Sequence, residues 1–229
     1  MVRLAPSEHY RFTQACPGSM DLTFGGAESS VAASISILGG SSRFVSALPQ
    51  HAIADAFVSQ MRGFKVDVDH VLRREAGRFG IYYVETGANQ RPSRVIYDRD
   101  YSAVSICPGE EYDWDAIFVD AQWLHISGIT LAISETAAHA AILAAGKAQA
   151  AGVKVSCDLN FRKNLWRWRS GSDARSLARS VMPDFLENVN VIIGNEEDAA
   201  DVLDIHAGDT DVHSGSLEIA HYPDVARQI

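Results

Sequence analysis

The second half of the chain alternates short apolar runs with segments that favour a helix. The apolar runs are Trp123-Leu-His-Ile-Ser127, Val153-Lys-Val-Ser-Cys157 and Val189-Asn-Val-Ile-Ile193. A helix is favoured from Ser134 to Ala151, from Ser172 to Leu186 and from Glu196 to Leu203. Strands that alternate with helices at roughly thirty-residue spacing are typical of right-handed βαβ units. The pattern therefore predicts an α/β fold with a mostly parallel sheet.

The first half of the chain mixes helix and strand signals without this regular spacing. Helices are predicted at 28–38 and 51–62, and strands at 43–48 and 66–72, the second because apolar and polar residues alternate there. Two further β-like runs lie within Gly80–Tyr97, and the polar loop between them contains glycine, asparagine and proline. This arrangement predicts a β-hairpin.

Charge and cysteine content exclude several classes of protein. The formal net charge of −9 argues against nucleic acid or an anionic membrane as the main partner. The three cysteines are far apart, which is unfavourable for a disulfide framework or a zinc site. The first residues lack the apolar core of a signal peptide, and no apolar stretch is long enough to span a bilayer. We therefore expect a cytoplasmic protein.

Polar side chains follow the second apolar run. Asp158, Asn160 and Arg162 alternate as the chain leaves the predicted strand. Because open α/β sheets bind ligands at the carboxyl ends of their strands, these residues indicate a binding site. Turn chemistry is an equally good explanation, since Asp and Asn commonly end strands.

The third apolar run ends in Gly194-Asn-Glu-Glu-Asp198. One interpretation is a helix N-cap, in which Asn195 and Asp198 form a capping box. The other is an acidic cluster, including Glu197, that holds hydrated Mg²⁺ near phosphates. The pattern alone favours the cap.

Two groups in the first half could contact a polar ligand. Gly25 and Gly26 precede a predicted helix and would let a ligand approach the backbone, although a tight turn with capping serines explains them as well. Tyr97 and Arg99 are two residues apart on a predicted strand, and Tyr82 lies on its hairpin partner. Such a face suits an anionic small molecule, since arginine binds carboxylates through two hydrogen bonds, but a solvated hairpin face has the same pattern.

Other markers of common enzyme classes are absent from the sequence. It contains no GxxxxGK[ST], HExxH, GxSxG or complete GxGxxG motif. His206-Ala-Gly-Asp-Thr210 contains part of a kinase signature, but no apolar strand leads into it. We therefore interpret that segment as a loop.

Taken together, these motifs resemble the ribokinase-like (PfkB) family of carbohydrate kinases, and most closely its 2-keto-3-deoxygluconate kinase branch. The resemblance rests on the order and spacing of Phe24-Gly-Gly-Ala-Glu28, Gly80-Ile-Tyr-Tyr83, Gln90-Arg-Pro-Ser93, Tyr97-Asp-Arg99 with Ser102-Ala103, Trp123-Leu-His-Ile-Ser-Gly-Ile-Thr130, Asp158-Leu-Asn-Phe-Arg162 with Leu165-Trp166, and Gly194-Asn-Glu-Glu-Asp198. It implies a three-layer α/β/α sandwich with a small β-sheet lid formed by residues 1–26 and 73–108, and a core formed by 27–72 and 109–229. It also implies ATP and Mg²⁺ as cofactors, and ATP-dependent phosphorylation of 2-keto-3-deoxygluconate or a similar sugar.

The resemblance also implies roles for individual residues. The substrate would be bound by Gly25, Gly26, Tyr82, Tyr97, Arg99, Asn160 and Arg162. Asn195 and Asp198 would contact the nucleotide, and Glu197 and Asp198 the metal. A homodimer formed through the lid is expected.

Two departures from the family pattern bear on activity. Ser30 stands where the family's glycine motif usually carries asparagine, and Asp198 stands where it carries glutamate. The family's G-A-G-D segment, which holds the catalytic aspartate, is expected beyond Ile229, and a core strand is expected before Met1. The alternative hypothesis is a non-catalytic remnant of such a kinase, which binds a sugar acid or forms dimers.

Overall fold

The computed structural model describes residues 1–206 and 222–229. The chain divides into two compact units, Met1–Ile106 and Cys107–Ile229. The strands of the first unit are β1 (Val2–Ala5), β2 (Asp21–Phe24), β3 (Ser46–Pro49), β4 (Val71–Arg74), β5 (Ile81–Glu85) and β6 (Arg94–Asp98). Its helices are α1 (Phe12–Ala15), α2 (Ala27–Ile37) and α3 (Ala52–Gly63).

The first unit contains a four-stranded sheet with the order β2-β1-β5-β6. β1 pairs antiparallel with β2 and parallel with β5, and β5 pairs antiparallel with β6. The predicted hairpin is therefore confirmed. All four strands come from the segments assigned to the lid, 1–26 and 73–108, while the function of this sheet as a lid stays a prediction.

Aromatic rings form the centre of the first unit. Phe57 is buried, and its ring lies 5.5 Å from that of Phe24, 5.7 Å from that of Phe44 and 5.8 Å from that of Phe79. Such edge-to-face pairs add to the free energy gained by burying the rings. The cluster fixes the start of α2, because Phe24 is followed directly by the two glycines that precede this helix.

The strand predicted at 66–72 is wrong in its extent. Only Val71–Arg74 is a strand, paired in parallel with β3. Val66 and Val68 are both buried, but they lie in a connection after α3 that is held by hydrogen bonds between Asp67 and the segment containing Ser42 and Phe44. Burial of alternate valines produced a strand-like pattern without a strand ladder over those residues.

The second unit contains a three-stranded parallel sheet, β7-β8-β9. Its strands are β7 (Trp123–Ser127), β8 (Lys154–Asp158) and β9 (Val191–Ile193). Its helices are α4 (Trp114–Ile117), α5 (Gly128–Ala132), α6 (Glu135–Ala150), α7 (Ala174–Leu186), α8 (Glu196–Leu203) and α9 (Tyr222–Gln228). An antiparallel pairing of β8 with β9 would have contradicted the predicted βαβ arrangement. The two strands pair in parallel, so the prediction is confirmed.

Side chains cap α6 and α7 of the second unit, and α7 begins two residues later than the predicted start at Ser172. Ser134 accepts a hydrogen bond from the Ala137 amide at the start of α6, and Asp173 caps α7 in the same way. The core includes Val155, Cys157 and Leu177, whose side chains are fully buried. Residues 207–210 of the segment interpreted as a loop lie outside the described residues. Within the described ranges, no helix combines the length and hydropathy needed to cross a bilayer.

Candidate functional site

In the first unit, the two predicted tyrosines lie side by side on one face of the four-stranded sheet. Tyr82 on β5 is the register partner of Tyr97 on β6. We call the face that carries them the tyrosine face. A Cβ atom added to Gly25 would lie 2.4 Å from the Tyr82 hydroxyl oxygen, so glycine is required for the observed approach of this backbone to the phenol. The structure thus brings three of the predicted substrate contacts together.

Arg99 follows β6 by one residue and is buried, with 8% of its surface exposed. Within the described part of the chain, its Nε and Nη1 atoms have no hydrogen-bond partner. Burial lowers the pKa of the Arg99 guanidinium, and the negative charges of Glu28 and Asp100 and the phenol of Tyr97 oppose this effect. Buried donors without acceptors are costly, and an anionic oxygen is a suitable acceptor for both of them.

Burial also raises the pKa of the Tyr82 phenol. Tyr97 adds to the rise, and the positive charge of Arg3 opposes it. The phenol therefore stays protonated near neutral pH and can donate a hydrogen bond to a ligand oxygen.

The two glycines before α2 do not form the serine-capped turn that was the alternative interpretation. Gly26 is the N-cap residue of α2, and no side chain caps this helix end. The Ser29 hydroxyl instead donates to the Gly26 carbonyl oxygen over 3.2 Å. The backbone at the start of α2 is thus not covered by a capping side chain.

In the second unit, a pocket of about 370 Å³ lies at the carboxyl ends of β8 and β9. The lining residues are Asp158, Asn160, Arg162, Ile193, Gly194, Asn195 and Asp198. Both polar segments singled out in the sequence therefore meet at one edge of the sheet, as the parallel topology requires. Glu197, predicted as a metal ligand, is not among the lining residues.

Close backbone packing holds the loop after β8 in place. The Leu159 amide donates to the Ile193 carbonyl oxygen over 2.8 Å. A Cβ atom added to Gly128 would lie 2.1 Å from the Leu159 carbonyl oxygen, so only glycine allows the start of α5 to approach this loop. Sequence reasoning missed this contact, although Gly128 directly follows an apolar run.

Asn160 has a left-handed backbone, with φ of 42°. Asn tolerates this conformation better than most residues. Its Nδ2 atom donates to the hydroxyl oxygen of Ser127 over 3.3 Å, and this buried serine also accepts the Ile129 amide at the start of α5. The left-handed backbone agrees with the interpretation in which Asn160 redirects the chain after the strand, and the same residue lines the pocket.

Asp198 joins the two polar segments. Its Oδ2 atom accepts the Asn195 amide over 3.3 Å, and Asn195 Oδ1 accepts the Asp198 amide over 2.8 Å, so the predicted capping box is formed. Asp198 Oδ1 also accepts the Phe161 amide, 37 residues away, over 2.8 Å. The carboxylate therefore fixes both sides of the pocket.

The pocket's carboxylates fit a hydrated Mg²⁺ better than a fully coordinated one. Each oxygen of Asp198 already accepts a backbone N–H, which leaves one lone pair on each oxygen. Among the described residues, no group of three or more His, Cys, Asp or Glu side chains is arranged around a common point. Mg²⁺ commonly keeps several waters and uses one or two carboxylates together with phosphates. Asp198 and Asp158 can supply these one or two carboxylates.

A family model described as pfkB family carbohydrate kinase matches residues 7–221. The 2-dehydro-3-deoxygalactonokinase of Haloferax volcanii is 36% identical over 205 residues, which are 90% of this chain and 61% of that protein. The crystal structure of 2-dehydro-3-deoxygluconokinase from Thermotoga maritima is 39% identical, with a TM-score of 0.89 over 100% of this chain and 65% of that one. The chain thus spans less than two thirds of the length of these relatives.

A more distant structure shares the fold. Fructokinase from Xylella fastidiosa, solved with bound ATP, is 24% identical with a TM-score of 0.70, and the match covers 84% of this chain and 54% of that one.

Proposed function

This chain belongs to the pfkB family of carbohydrate kinases and has the ribokinase-like fold, and from that membership we propose that it serves the ATP-dependent phosphorylation of 2-keto-3-deoxygluconate or a similar sugar acid. The kinases named for 2-keto-3-deoxy sugar acids among its relatives support this substrate class. In phosphoryl transfer the protein mainly positions the reactants and stabilises charge.

The observation that carries the choice of a sugar acid is the buried Arg99. Its two unpartnered donors lie on a guanidinium beside Tyr97, and a carboxylate can accept both. A neutral sugar could offer these two donors only uncharged oxygens, which form weaker hydrogen bonds with a guanidinium than a carboxylate does. We propose that Tyr82, Tyr97 and the backbone at Gly25 and Gly26 contact the hydroxyl and carbonyl groups of the same ligand.

For the second unit we propose that the pocket at the ends of β8 and β9 binds anionic groups. Arg162 and Asn160 supply donors that suit an anionic oxygen, and their contact with the substrate stays a prediction. Asn195 and Asp198 lie at the first turn of α8, where the pocket can admit the phosphates of ATP with a hydrated Mg²⁺, and Glu197 remains a prediction as a metal ligand. The bound metal would neutralise negative charge on the phosphates.

The first test of this proposal is direct binding, because it does not depend on turnover. Isothermal titration of the chain with 2-keto-3-deoxygluconate, 2-keto-3-deoxygalactonate and fructose should show binding of the two acids. Arg99→Ala should weaken binding of the acids by about 2–3 kcal/mol, or about 30- to 150-fold in Kd. Arg94→Ala is the matched control, since Arg94 is exposed and lies on the opposite face of β6 from Tyr97.

A coupled assay for ADP release then tests the reaction. ATP-dependent phosphorylation of the acid by the wild-type chain would support the kinase. Binding of the acid without phosphorylation would favour the sugar-acid binder over the kinase. Equal losses for the acid and for fructose in Arg99→Ala would contradict recognition of the carboxylate.

We also propose that the four-stranded sheet pairs two copies of the chain. On the face opposite the tyrosine face, Leu22, Leu4, Tyr83 and Ile96 form one row across all four strands. Leu22 is 49% exposed and Ile96 is 42% exposed. On this face Leu4 and Ile81 pack against the aromatic cluster, so the surface available to a second copy is formed by Leu22, Tyr83 and Ile96. Such rows on small sheets favour association. Light scattering should show a dimer that Ile96→Glu converts to a monomer, and a wild-type monomer at high concentration would contradict this proposal.

A further inference from the structure

The tyrosine face carries a second row of side chains that crosses the whole sheet. Thr23 on β2 is the register partner of Arg3 on β1, Arg3 is the partner of Tyr82 on β5, and Tyr82 is the partner of Tyr97 on β6. Side chains that are directly opposite on neighbouring strands lie on the same face and reach one another. The sheet therefore places an arginine from the first strand beside the two tyrosines.

The burial, contacts and charge of Arg3 in this row are those expected of a ligand-binding arginine. Arg3 is half-buried, and within the described ranges its side chain forms no hydrogen bond or ion pair. Its positive charge acts on the Tyr82 phenol, whose pKa it lowers against the effect of burial. A half-buried guanidinium on this face can reach an anionic oxygen that also contacts the phenols, since β1 and β6 are separated by only about 10 Å.

We infer that Arg3 is a further guanidinium that recognises the sugar acid and contributes to the preference for acids over neutral sugars. This inference rests on the proposed function, because it assigns a further residue to the same ligand. Arg3 differs from Arg99 in position, since it lies within a strand, whereas Arg99 lies just past the end of one. The two side chains would therefore contact different anionic or hydroxyl oxygens of the ligand.

Two structural explanations compete with this inference. Arg3 could serve only to keep the Tyr82 ring in place, or it could be a solvated charge without a ligand. In the first case, its loss would weaken binding of acids and neutral sugars alike. In the second, its loss would weaken neither.

The test compares Arg3→Gln with Arg94→Gln. Both variants remove one positive charge from the same sheet, but Arg94 lies on the opposite face, beside Glu85 in the register. Binding of 2-keto-3-deoxygluconate and of fructose is measured by isothermal titration at low and at physiological ionic strength. Arg3→Gln should weaken binding of the acid about tenfold and that of fructose less than twofold, and added salt should reduce the difference. Arg94→Gln should change neither affinity by more than about twofold.

A conservative variant separates the charge from packing. Arg3→Lys keeps the charge and the aliphatic stem, and it should retain most of the preference for the acid. Thermal unfolding of each variant verifies that it is folded. If Arg3→Gln and Arg94→Gln bind the acid equally well while Arg99→Ala does not, Arg3 has no part in recognition and the proposed function stands. Failure of the wild-type chain to bind any sugar acid would overturn both.

Discussion

The contact between Gly25 and Tyr82 provides a stringent test of the site in the first unit. In Gly25→Ala, the new methyl group would lie 2.4 Å from the Tyr82 hydroxyl oxygen, 3.3 Å from Cζ and 3.5 Å from Cε1. Ordinary contact begins at 3.4 Å, so the hydroxyl must move by about 1 Å. In Tyr82→Phe the clashing oxygen is gone, and the remaining ring atoms lie almost at contact distance.

The expected cost follows from overpacking. Gly25→Ala should destabilise the chain by about 1–2 kcal/mol and lower Tm by about 3–6 °C. Tyr82→Phe alone should change stability little, because the phenol is only half-buried. The double variant should recover most of the loss, with a coupling energy of about 1 kcal/mol. The sugar acid should still bind weakly to the double variant, because the Tyr82 hydroxyl is a proposed contact.

Urea unfolding and thermal melts of the four chains measure this coupling. Gly26→Ala is the matched control, because its added Cβ would meet the Ser29 hydroxyl at 2.7 Å and not Tyr82. Tyr82→Phe should therefore leave the effect of Gly26→Ala unchanged. Additive losses for Gly25→Ala and Tyr82→Phe, within about 0.5 kcal/mol, would refute the close approach of this backbone to the phenol.

Further predictions concern the second unit. Asp198→Ala removes the acceptor of the Phe161 amide and half of the capping box, so the free energy of unfolding in urea should fall by about 2–3 kcal/mol. A fall below about 0.5 kcal/mol would contradict the role of Asp198 in linking the two segments. Gly128→Ala places a methyl group 2.1 Å from the Leu159 carbonyl oxygen, where backbone must move, so Tm should fall further than in Gly25→Ala; an unchanged Tm would show that the loop yields freely. Gly146→Ala meets open space inside α6 and should stabilise the chain by about 0.5–1 kcal/mol, whereas destabilisation would mean that α6 packs differently there.

Much of the fold could be predicted because its signals are local. Apolar runs of strand length that alternate with capped helices predict parallel pairing, since a helix between two strands returns the chain to the same edge of the sheet. That topology in turn places Asp158 and Gly194 at one edge, so the grouping of the two polar segments followed without any knowledge of side-chain packing. The capping box of Asn195 and Asp198 is local in the same sense, because its partners are three residues apart.

The strand predicted at 66–72 shows where local signals mislead. Val66 and Val68 are buried through contacts with distant residues, and alternation of burial does not by itself create a hydrogen-bond ladder. The roles of the site residues were inferred from the motifs shared with sugar kinases, because the spacing of residues alone does not indicate what they bind. The family match supports the fold and the chemical class, and the individual contacts await the binding experiments.

By itself the sequence determined which residues alternate, where helices begin and which strand ends carry polar groups, because these depend on neighbours within a few positions. Only the tertiary structure decided which distant residues meet. Arg3 lies beside Tyr82, which is 79 positions further along the chain, because β1 lies between β2 and β5 and pairs with β5 in one particular register. Asp198 reaches the Phe161 amide because two parallel strands end at the same edge. The period of a strand fixes the face of a side chain, but its neighbour on that face depends on pairing with a remote strand.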